Sequence, residues 1–290
     1  MEKYVIMTDS SCDLTQEKVD ELGITVVPLS VLVGDKTYAN YPDGREIGFK
    51  EYYDMLRNVK EAKTSAANAD LFIRSMEPIL QEGKDILYIG FSSALSNTFN
   101  ASRMAAEELM AKYPERKVIV VDSLSASLGQ GLLVYHTAKE AEKGLTIEET
   151  AKFVEDTKLK LCHWFTVDDL FHLKRGGRVS SATAVLGTAL GIKPVLHVDN
   201  GGRLINMSKA RGRKASITAL MRKVAESAIN GAEQTIFISH GDCIGDAEKL
   251  ADLVRKEVGA KDIFINYVGP VIGAHSGPGT LAIFFIGDKR

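Results

Sequence analysis

Side chains with hydroxyl groups follow several predicted strands in the first half of the chain. They occupy residues 8–11, 92–98 and 122–123, and Thr64 and Ser65 stand before a predicted helix. Serine, threonine and aspartate at these places are also the usual N-caps of helices. In a parallel α/β sheet, however, the carboxyl ends of the strands meet at one edge, where ligands bind. A cluster of hydroxyls and helix-start N–H groups, without lysine, suits one small anionic head group.

One histidine stands in a segment rich in glycine and proline, residues 269–280. Four glycines and two prolines accompany His275 there, and they restrict the backbone to a particular path. Two interpretations are open. Either the segment is a tight structural turn in which His275 is bonded internally, or His275 donates a hydrogen bond to the same anion as the hydroxyls.

Two further segments concentrate positive charge. Arg175-Gly176-Gly177-Arg178 combines a close turn with arginines that can bind a carboxylate, although pairing with Asp168 or Asp169 is equally plausible. Residues 209–214 form the basic run of the chain and precede a predicted helix. Because cations oppose the dipole at a helix N-terminus, this run indicates an acidic partner surface as well as a solvated helix start.

Short apolar runs alternate with amphipathic stretches through the first half. The run at residues 4–7 predicts a strand, and the continuous apolar runs at 86–90 and 118–121 predict strands buried on both faces. This βαβ alternation predicts a parallel sheet with flanking helices. Thr146 and Glu149 then form a capping box that opens a helix to about residue 161. Short strands and glycine pairs follow, so we place a domain boundary near residue 160.

Composition excludes several classes of protein. The chain has 290 residues with 36 Lys+Arg and 38 Asp+Glu, a formal net charge of -2 that lacks the strong basic field of a nucleic-acid binder. No apolar run has the length of a transmembrane segment, and no signal peptide precedes the first strand. The three cysteines form no pair or metal-ligand spacing, so we expect a cytoplasmic chain with reduced thiols and no metal or cofactor.

Taken in order along the chain, these segments resemble the DegV family. The matching motifs are Thr8-Asp9-Ser10-Ser11, Ser93-Ala94-Leu95-Ser96-Asn97-Thr98, Phe165-Thr166-Val167-Asp168-Asp169-Leu170, Lys174-Arg175-Gly176-Gly177-Arg178, Ile192-Lys193-Pro194, His240-Gly241-Asp242 and Gly273-Ala274-His275-Ser276-Gly277-Pro278-Gly279-Thr280. The ordered set is specific, and it covers essentially the whole chain.

The resemblance implies two α/β domains. Residues 1–160 would form a three-layer α/β/α domain with a parallel sheet, and residues 161–290 a DegV-like α/β domain with a mixed sheet. A long-chain fatty acid would lie in the cleft between them. In some bacteria such proteins are non-catalytic subunits of a fatty acid kinase, whose separate ATP-binding subunit phosphorylates the carboxylate. The acyl phosphate then enters phospholipid synthesis.

The resemblance also assigns roles to residues. Thr64, Ser96 and His275 would hold the carboxylate, with Ser65 and the backbone N–H of Asn97 nearby, and the kinase-facing basic surface would include one arginine, Arg211. Two positions depart from the family pattern. Asn97 replaces a frequent glycine, although asparagine also tolerates a positive φ. Ala66-Ala67 stands where a proline usually follows the Thr-Ser pair.

An acyl ligand is physically reasonable. About 15 methylenes at ~0.8 kcal/mol each give a gross transfer free energy of roughly 12 kcal/mol. Burying the carboxylate opposes this unless charge-assisted hydrogen bonds replace its water. We expect apolar residues on both sides of Gly176-Gly177 to line a tunnel, although each of them taken alone is more often ordinary core. These residues are Phe165, Val167, Leu170, Val185, Leu186, Leu190 and Ile192.

Two other classes of function stay open from the residues alone. Ser96 and His275, with Asp9 or Asp122, could form a hydrolase triad, but no G-x-S-x-G elbow surrounds the serine. A related possibility is chemistry like that of dihydroxyacetone kinases, in which a histidine holds a small ketone covalently. A nucleotide-binding protein is the third class, although no phosphate-binding glycine motif follows a strand.

Overall fold

The first half of the chain builds a parallel sheet. The computed structural model describes residues 4–58, 62–65, 67–179 and 191–290. Four strands lie in the order β2-β1-β6-β7, all parallel. They are β1 (Tyr4–Asp9), β2 (Thr25–Val27), β6 (Asp85–Gly90) and β7 (Val118–Asp122). β6 is buried along its whole length, as its continuous apolar run predicts.

Helices cover both faces of this sheet and complete the three predicted layers. On one face α3 (Ala69–Gln81) and α4 (Thr98–Lys112) pack together over a core that includes Met7, Phe72 and Tyr88. On the other face lie α1 (Gln16–Leu22), α5 (Leu128–Ala141) and α6 (Ile147–Thr157). The helix predicted to reach residue 161 ends at Thr157, because the next strand begins at Leu161.

A small antiparallel sheet of order β4-β3-β5 lies beside the parallel one. It consists of β3 (Leu29–Val33), β4 (Lys36–Asn40) and β5 (Ala62–Ser65), and α2 (Phe49–Asn58) connects the last two. Residues 24–33 are rich in β-branched side chains, which predicts one extended stretch, but Pro28 divides it. Proline has no N–H for a ladder hydrogen bond, so β2 joins the parallel sheet and β3 the antiparallel one.

The second half forms a mixed sheet of order β10-β9-β8-β13-β11-β12, in which only β11 and β12 are parallel neighbours among the described strands. The strands are β8 (Leu161–Thr166), β9 (Ile192–Val198), β10 (Leu204–Arg211), β11 (Ile236–His240), β12 (Ile263–Tyr267) and β13 (Leu281–Ile286). The helices are α7 (Leu170–Arg175), α8 (Arg213–Ser227), α9 (Ile244–Val258) and α10 (Pro270–Ser276). This confirms the predicted two-domain α/β class.

One helix joins the two halves into a continuous core. α8 and α9 pack on the outer face of the mixed sheet, while α5 packs on the inner face against Phe165, Phe237 and Phe284. The same helix also covers the parallel sheet. The division of the chain at residue 160 stays a prediction.

Within the described ranges we find no helix with both the length and the hydropathy that crossing a bilayer requires.

Candidate functional site

A cavity lies between the inner face of the mixed sheet, α10, β5 and the loop that follows β6. The space between its walls, including the part that is open to solvent, is about 830 Å³. Most of its wall is apolar. The apolar lining residues are Leu29, Phe91, Leu95, Ala126, Phe165, Leu173, Val198, Leu204, Val268, Val271, Ile272, Ala282 and Phe284.

A threonine and a histidine that are 211 residues apart in sequence meet at the wall of this cavity. The Thr64 hydroxyl and the Nε2 atom of His275 form a hydrogen bond of 2.7 Å. β5 carries Thr64 through antiparallel pairing with Val31 of β3, and α10 carries His275 in its last turn. The segment 270–276 is therefore a helix and not an open turn. Pro270 is compatible with it because the first helical position needs no N–H donor.

His275 is held as a neutral imidazole. Burial and, to a smaller extent, the nearby Arg178 guanidinium together lower its pKa to about 4. The position of the ring also explains the first glycine of the Arg-Gly-Gly-Arg motif. A Cβ atom on Gly176 would lie 2.3 Å from Nδ1 of His275, so a larger residue would displace the ring.

Arg178 supplies a positive charge to the cavity. Its Nε donates to the carbonyl of Leu95 at 3.1 Å, and its Nη1 donates to the carbonyl of Gly176. Among the described residues it has no carboxylate partner, and burial lowers its pKa. The predicted alternative, pairing of these arginines with Asp168 or Asp169, is wrong. Asp168 instead pairs with Lys193 at 2.6 Å, and Asp169 caps α7.

Ser96 lines the cavity beside this charge, on the loop that Arg178 anchors. Its hydroxyl bonds the Thr98 hydroxyl at 2.9 Å and accepts from the Thr98 N–H at 3.2 Å. Ser65 is exposed and also lines the cavity. Asn97 is exposed at the N-cap of α4 with φ -76°, so its turn needs no left-handed residue. Asn97 is not among the residues that line the cavity.

The other hydroxyl clusters have structural roles. Asp9 accepts hydrogen bonds from the Ser11 N–H at 3.1 Å, the Tyr88 hydroxyl at 2.6 Å and the Phe91 N–H at 3.1 Å. Asp122 accepts from the N–H groups of Ser93 and Leu124. These bonds fix the loop that carries Ser96. Of the predicted hydroxyl groups, those of Thr64, Ser65, Ser96 and Thr98 therefore line one cavity, whereas those of residues 8–11 and 122–123 do not.

These contacts differ from those of a hydrolase triad. His275 is bonded to Thr64, and the Ser96 hydroxyl to Thr98. Asp9 and Asp122 use their carboxylates within the loop network described above.

The predicted acyl-contacting residues are distributed unevenly. Phe165 lines the cavity, and Leu170 is buried in the core beneath it without lining it. Ile192 does not line the cavity. It pairs with Arg211 at one end of β9, whereas Val198, at the other end of the same strand, is a lining residue. Val185, Leu186 and Leu190 lie outside the described residues. The cavity is also lined by Ala282 and Phe284, alternate residues of β13, which are not among the acyl-contacting residues predicted from the sequence.

The basic run is partly neutralised. Arg213, the first residue of α8, bonds Asp246 at 2.8 Å and lies 3.6 Å from Asp168, which offsets its unfavourable position at the helix start. Arg211 is exposed at the end of β10.

Comparison with known proteins agrees with this architecture. The family model described as "Uncharacterised protein, DegV family" matches residues 3–288. A DegV domain-containing protein of Clostridium perfringens is 46% identical over 290 residues, covering 100% of this chain and 99% of its own.

Two solved structures show the same fold. A Thermus thermophilus DegV family protein, described by its fatty acid binding, superposes with a TM-score of 0.86 at 30% identity, over 99% of this chain and 100% of its own. The fatty acid kinase B3 protein of Streptococcus pneumoniae, loaded with linoleic acid, superposes with a TM-score of 0.85 over 99% and 100% of the two chains. At 22% identity its likeness concerns the fold alone.

Proposed function

This chain belongs to the DegV family, and from that premise we propose that it binds a long-chain fatty acid in the cavity beneath α10. Thr64, Ser96 and His275 hold the carboxylate, and the apolar wall takes the acyl chain. Ser65 and the Asn97 backbone N–H stay predicted contacts at the rim. The observation that carries the proposal is the Thr64–His275 hydrogen bond of 2.7 Å at the wall of a mainly apolar cavity.

The positive charge of Arg178, at the part of the cavity lined by Thr64 and His275, would attract a carboxylate. Arg178 is partly buried without an acidic partner among the described residues, and an unpaired buried charge is unfavourable until an anion approaches it. His275 is neutral at pH 7 because of its lowered pKa. If Nε2 carries the proton, His275 donates to the Thr64 oxygen, and the Thr64 hydroxyl hydrogen is directed to the carboxylate.

In this proposal the protein is a carrier that presents the carboxylate to a separate kinase subunit, which forms the acyl phosphate. The exposed Arg211 belongs to the surface that meets the kinase. The kinase role comes from the family resemblance, and the Streptococcus pneumoniae fatty acid kinase protein shares the fold.

Mass spectrometry of the denatured protein tests the binding proposal directly. We expect a copurifying long-chain fatty acid, and after its removal we expect saturable binding of palmitate or oleate. The Thr64→Val protein, prepared in the same way, is the control for binding at this site. Absence of any acyl species, together with no binding by the delipidated protein, would contradict the proposal.

The same preparation discriminates the other classes of function. Turnover of an acyl ester that is lost on Ser96→Ala would favour a hydrolase. A thermal shift with ATP and none with oleate would favour a nucleotide-binding protein.

A further inference from the structure

His163 is a buried polar side chain in the wall of the cavity beneath α10, and the proposed carboxylate site does not use it. β8 is buried along its whole length. His163 lies on the same face of this strand as Phe165, and both residues line the cavity. The His163 ring packs edge-on against Phe284 of β13, with the ring planes at 90°. A polar nitrogen in so apolar a setting usually has a hydrogen-bond partner.

Only one of the two ring nitrogens has such a partner among the described residues. Nδ1 lies 3.1 Å from the backbone carbonyl of Leu161, and since a carbonyl oxygen only accepts, Nδ1 carries the proton. Burial lowers the pKa of His163 well below its usual value, so the ring is neutral and Nε2 bears a lone pair. Nε2 is buried and has no hydrogen-bond partner within the described part of the chain. His163 therefore presents an unused acceptor.

A glycine of α5 leaves space beside this acceptor. A Cβ atom on Gly129 would lie 2.2 Å from Nε2 of His163 and 2.9 Å from Cδ1 of Phe284, so a larger residue would cover the nitrogen. Phe284 lines the cavity, as do Ala126 and Ser127, which precede α5. Nε2 therefore lies where the start of α5 and β13 meet at the cavity wall.

The position of His163 along the sheet separates it from the carboxylate site. β13 follows α10, which carries His275, after a short loop. Phe165 pairs with Ala282, near the start of β13, whereas His163 pairs with Phe284, two residues further along. At ~3.4 Å per residue, His163 is about 7 Å further than Phe165 from the end of β13 that is next to α10. A ligand group that contacts Nε2 would therefore stand on the acyl chain and not on the carboxylate.

We propose that the cavity takes a fatty acid with a hydroxyl group on its acyl chain, and that this hydroxyl donates a hydrogen bond to Nε2 of His163. The inference rests on the proposed function, for which it names the class of substrate. In a purely apolar tunnel, a hydroxyl would lose its hydrogen bonds to water without replacement. Here the alcohol supplies the donor that Nε2 lacks, whereas a ketone or a double bond at the same carbon has no hydrogen to donate.

The test compares ligands that have the same chain length as stearate. 10- and 12-hydroxystearate place a donor at two depths of the cavity. The corresponding ketones, 10- and 12-oxostearate, replace that donor by an acceptor of similar size. At least one hydroxystearate should bind delipidated wild-type protein no more weakly than stearate does. Its ketone should bind about tenfold more weakly than the alcohol, because Nε2 and the ketone oxygen are then two buried acceptors without a donor.

Replacing His163 by leucine removes the acceptor and keeps an apolar wall. In His163→Leu, that hydroxystearate should bind about tenfold more weakly than stearate, since its hydroxyl is then buried without a partner. Binding of stearate by the same variant shows that it is folded. His136→Gln is the matched control, because His136 is a half-buried histidine of α5 that does not line the cavity. This control should change the affinity for neither ligand.

Nitrogen NMR of the wild-type protein makes the test independent of how the leucine variant folds. The resonance of an imidazole nitrogen that bears a lone pair moves when this nitrogen accepts a hydrogen bond. The Nε2 resonance of His163 should therefore move on addition of the hydroxystearate and should move less on addition of its ketone or of stearate.

The outcomes separate the two proposals. If wild-type protein binds neither stearate nor a hydroxystearate, the proposed function fails and this inference fails with it. Three results would refute the hydroxyl site alone while stearate still binds. Both hydroxystearates could bind at least about tenfold more weakly than stearate, the alcohol and its ketone could bind alike, or the Nε2 resonance could respond equally to all ligands.

Discussion

Replacing Thr64 by valine removes one hydroxyl and keeps the shape of the side chain. Thr64 lies on β5, where a β-branched residue is favourable, so the strand should be retained. Two interactions are lost. The first is the 2.7 Å hydrogen bond to Nε2 of His275, and the second is the proposed bond from the same hydroxyl to the ligand carboxylate.

The two losses have different magnitudes. In the free protein, leaving His275 Nε2 without its partner in a part-buried setting should lower the free energy of unfolding by about 1 kcal/mol. In the complex, a hydrogen bond to a charged group is worth about 1.5–3 kcal/mol. At 1.4 kcal/mol for each factor of ten, fatty acid affinity should therefore fall by roughly ten- to a hundredfold.

The assay is titration of delipidated protein with palmitate, by calorimetry or by displacement of a fluorescent fatty acid. Thr37→Val is the matched control, because Thr37 is exposed on β4 of the same small sheet and does not line the cavity. Its affinity should equal that of the wild type. If the palmitate affinity of Thr64→Val were within about twofold of the wild-type affinity, Thr64 would not contact the carboxylate. The proposed carboxylate site would then be wrong.

Four further changes test other parts of the site. Ser96→Ala should weaken palmitate binding by about 1.5–3 kcal/mol and lower the melting temperature, since it also removes the Thr98 bonds; unchanged affinity would exclude Ser96 from the site. Gly176→Ala should weaken palmitate binding by displacing the His275 ring, and a crystal structure with the ring unmoved would contradict this. Arg211→Ala should leave lipid binding intact but slow phosphorylation by the cognate kinase subunit, whereas loss of lipid binding would place Arg211 elsewhere. The free energy of unfolding should fall as the pH drops from 6.5 to about 4, because the unfolded chain then binds the proton that folded His275 excludes. His275→Gln should reduce this fall, by up to about 3 kcal/mol, in denaturant titrations across that range; an identical pH profile would argue against a buried neutral imidazole.

The sequence predicts the elements whose signals are local. The apolar run at β6 and the Thr146–Glu149 capping box both appear as predicted. β5 was missed, because Ala-Lys-Thr-Ser has no apolar alternation and its strand conformation comes from pairing with β3. α10 was missed for a related reason. Gly273 disfavours a helix by its propensity, but a Cβ there would lie 2.7 Å from the Tyr53 hydroxyl, so close packing on α2 requires glycine.

The site residues also divide into those that local sequence can predict and those that depend on contacts between distant segments. Thr64, Ser96 and His275 could be nominated by the family resemblance, yet the bond between Thr64 and His275 depends on contacts between distant segments. The sequence predicts two roles for Arg178, binding a carboxylate ligand or pairing with Asp168 or Asp169, and only the fold shows that Asp168 is paired with Lys193. The sequence predicts Leu170 at the tunnel together with Phe165 and Val167. α7 turns it into the core and leaves Leu173 at the cavity wall.

The arrangement of donors explains how such a site can accept a carboxylate without a large ordering penalty. Arg178 is fixed by two backbone carbonyls, and Thr64 is fixed by His275. These side chains are therefore immobilised before the ligand enters, and little side-chain entropy is lost on binding. A flexible lysine in the same place would have to be ordered by each ligand. Because the guanidinium bonds backbone oxygens and no acidic side chain among the described residues, its charge remains available to the carboxylate of the proposed ligand.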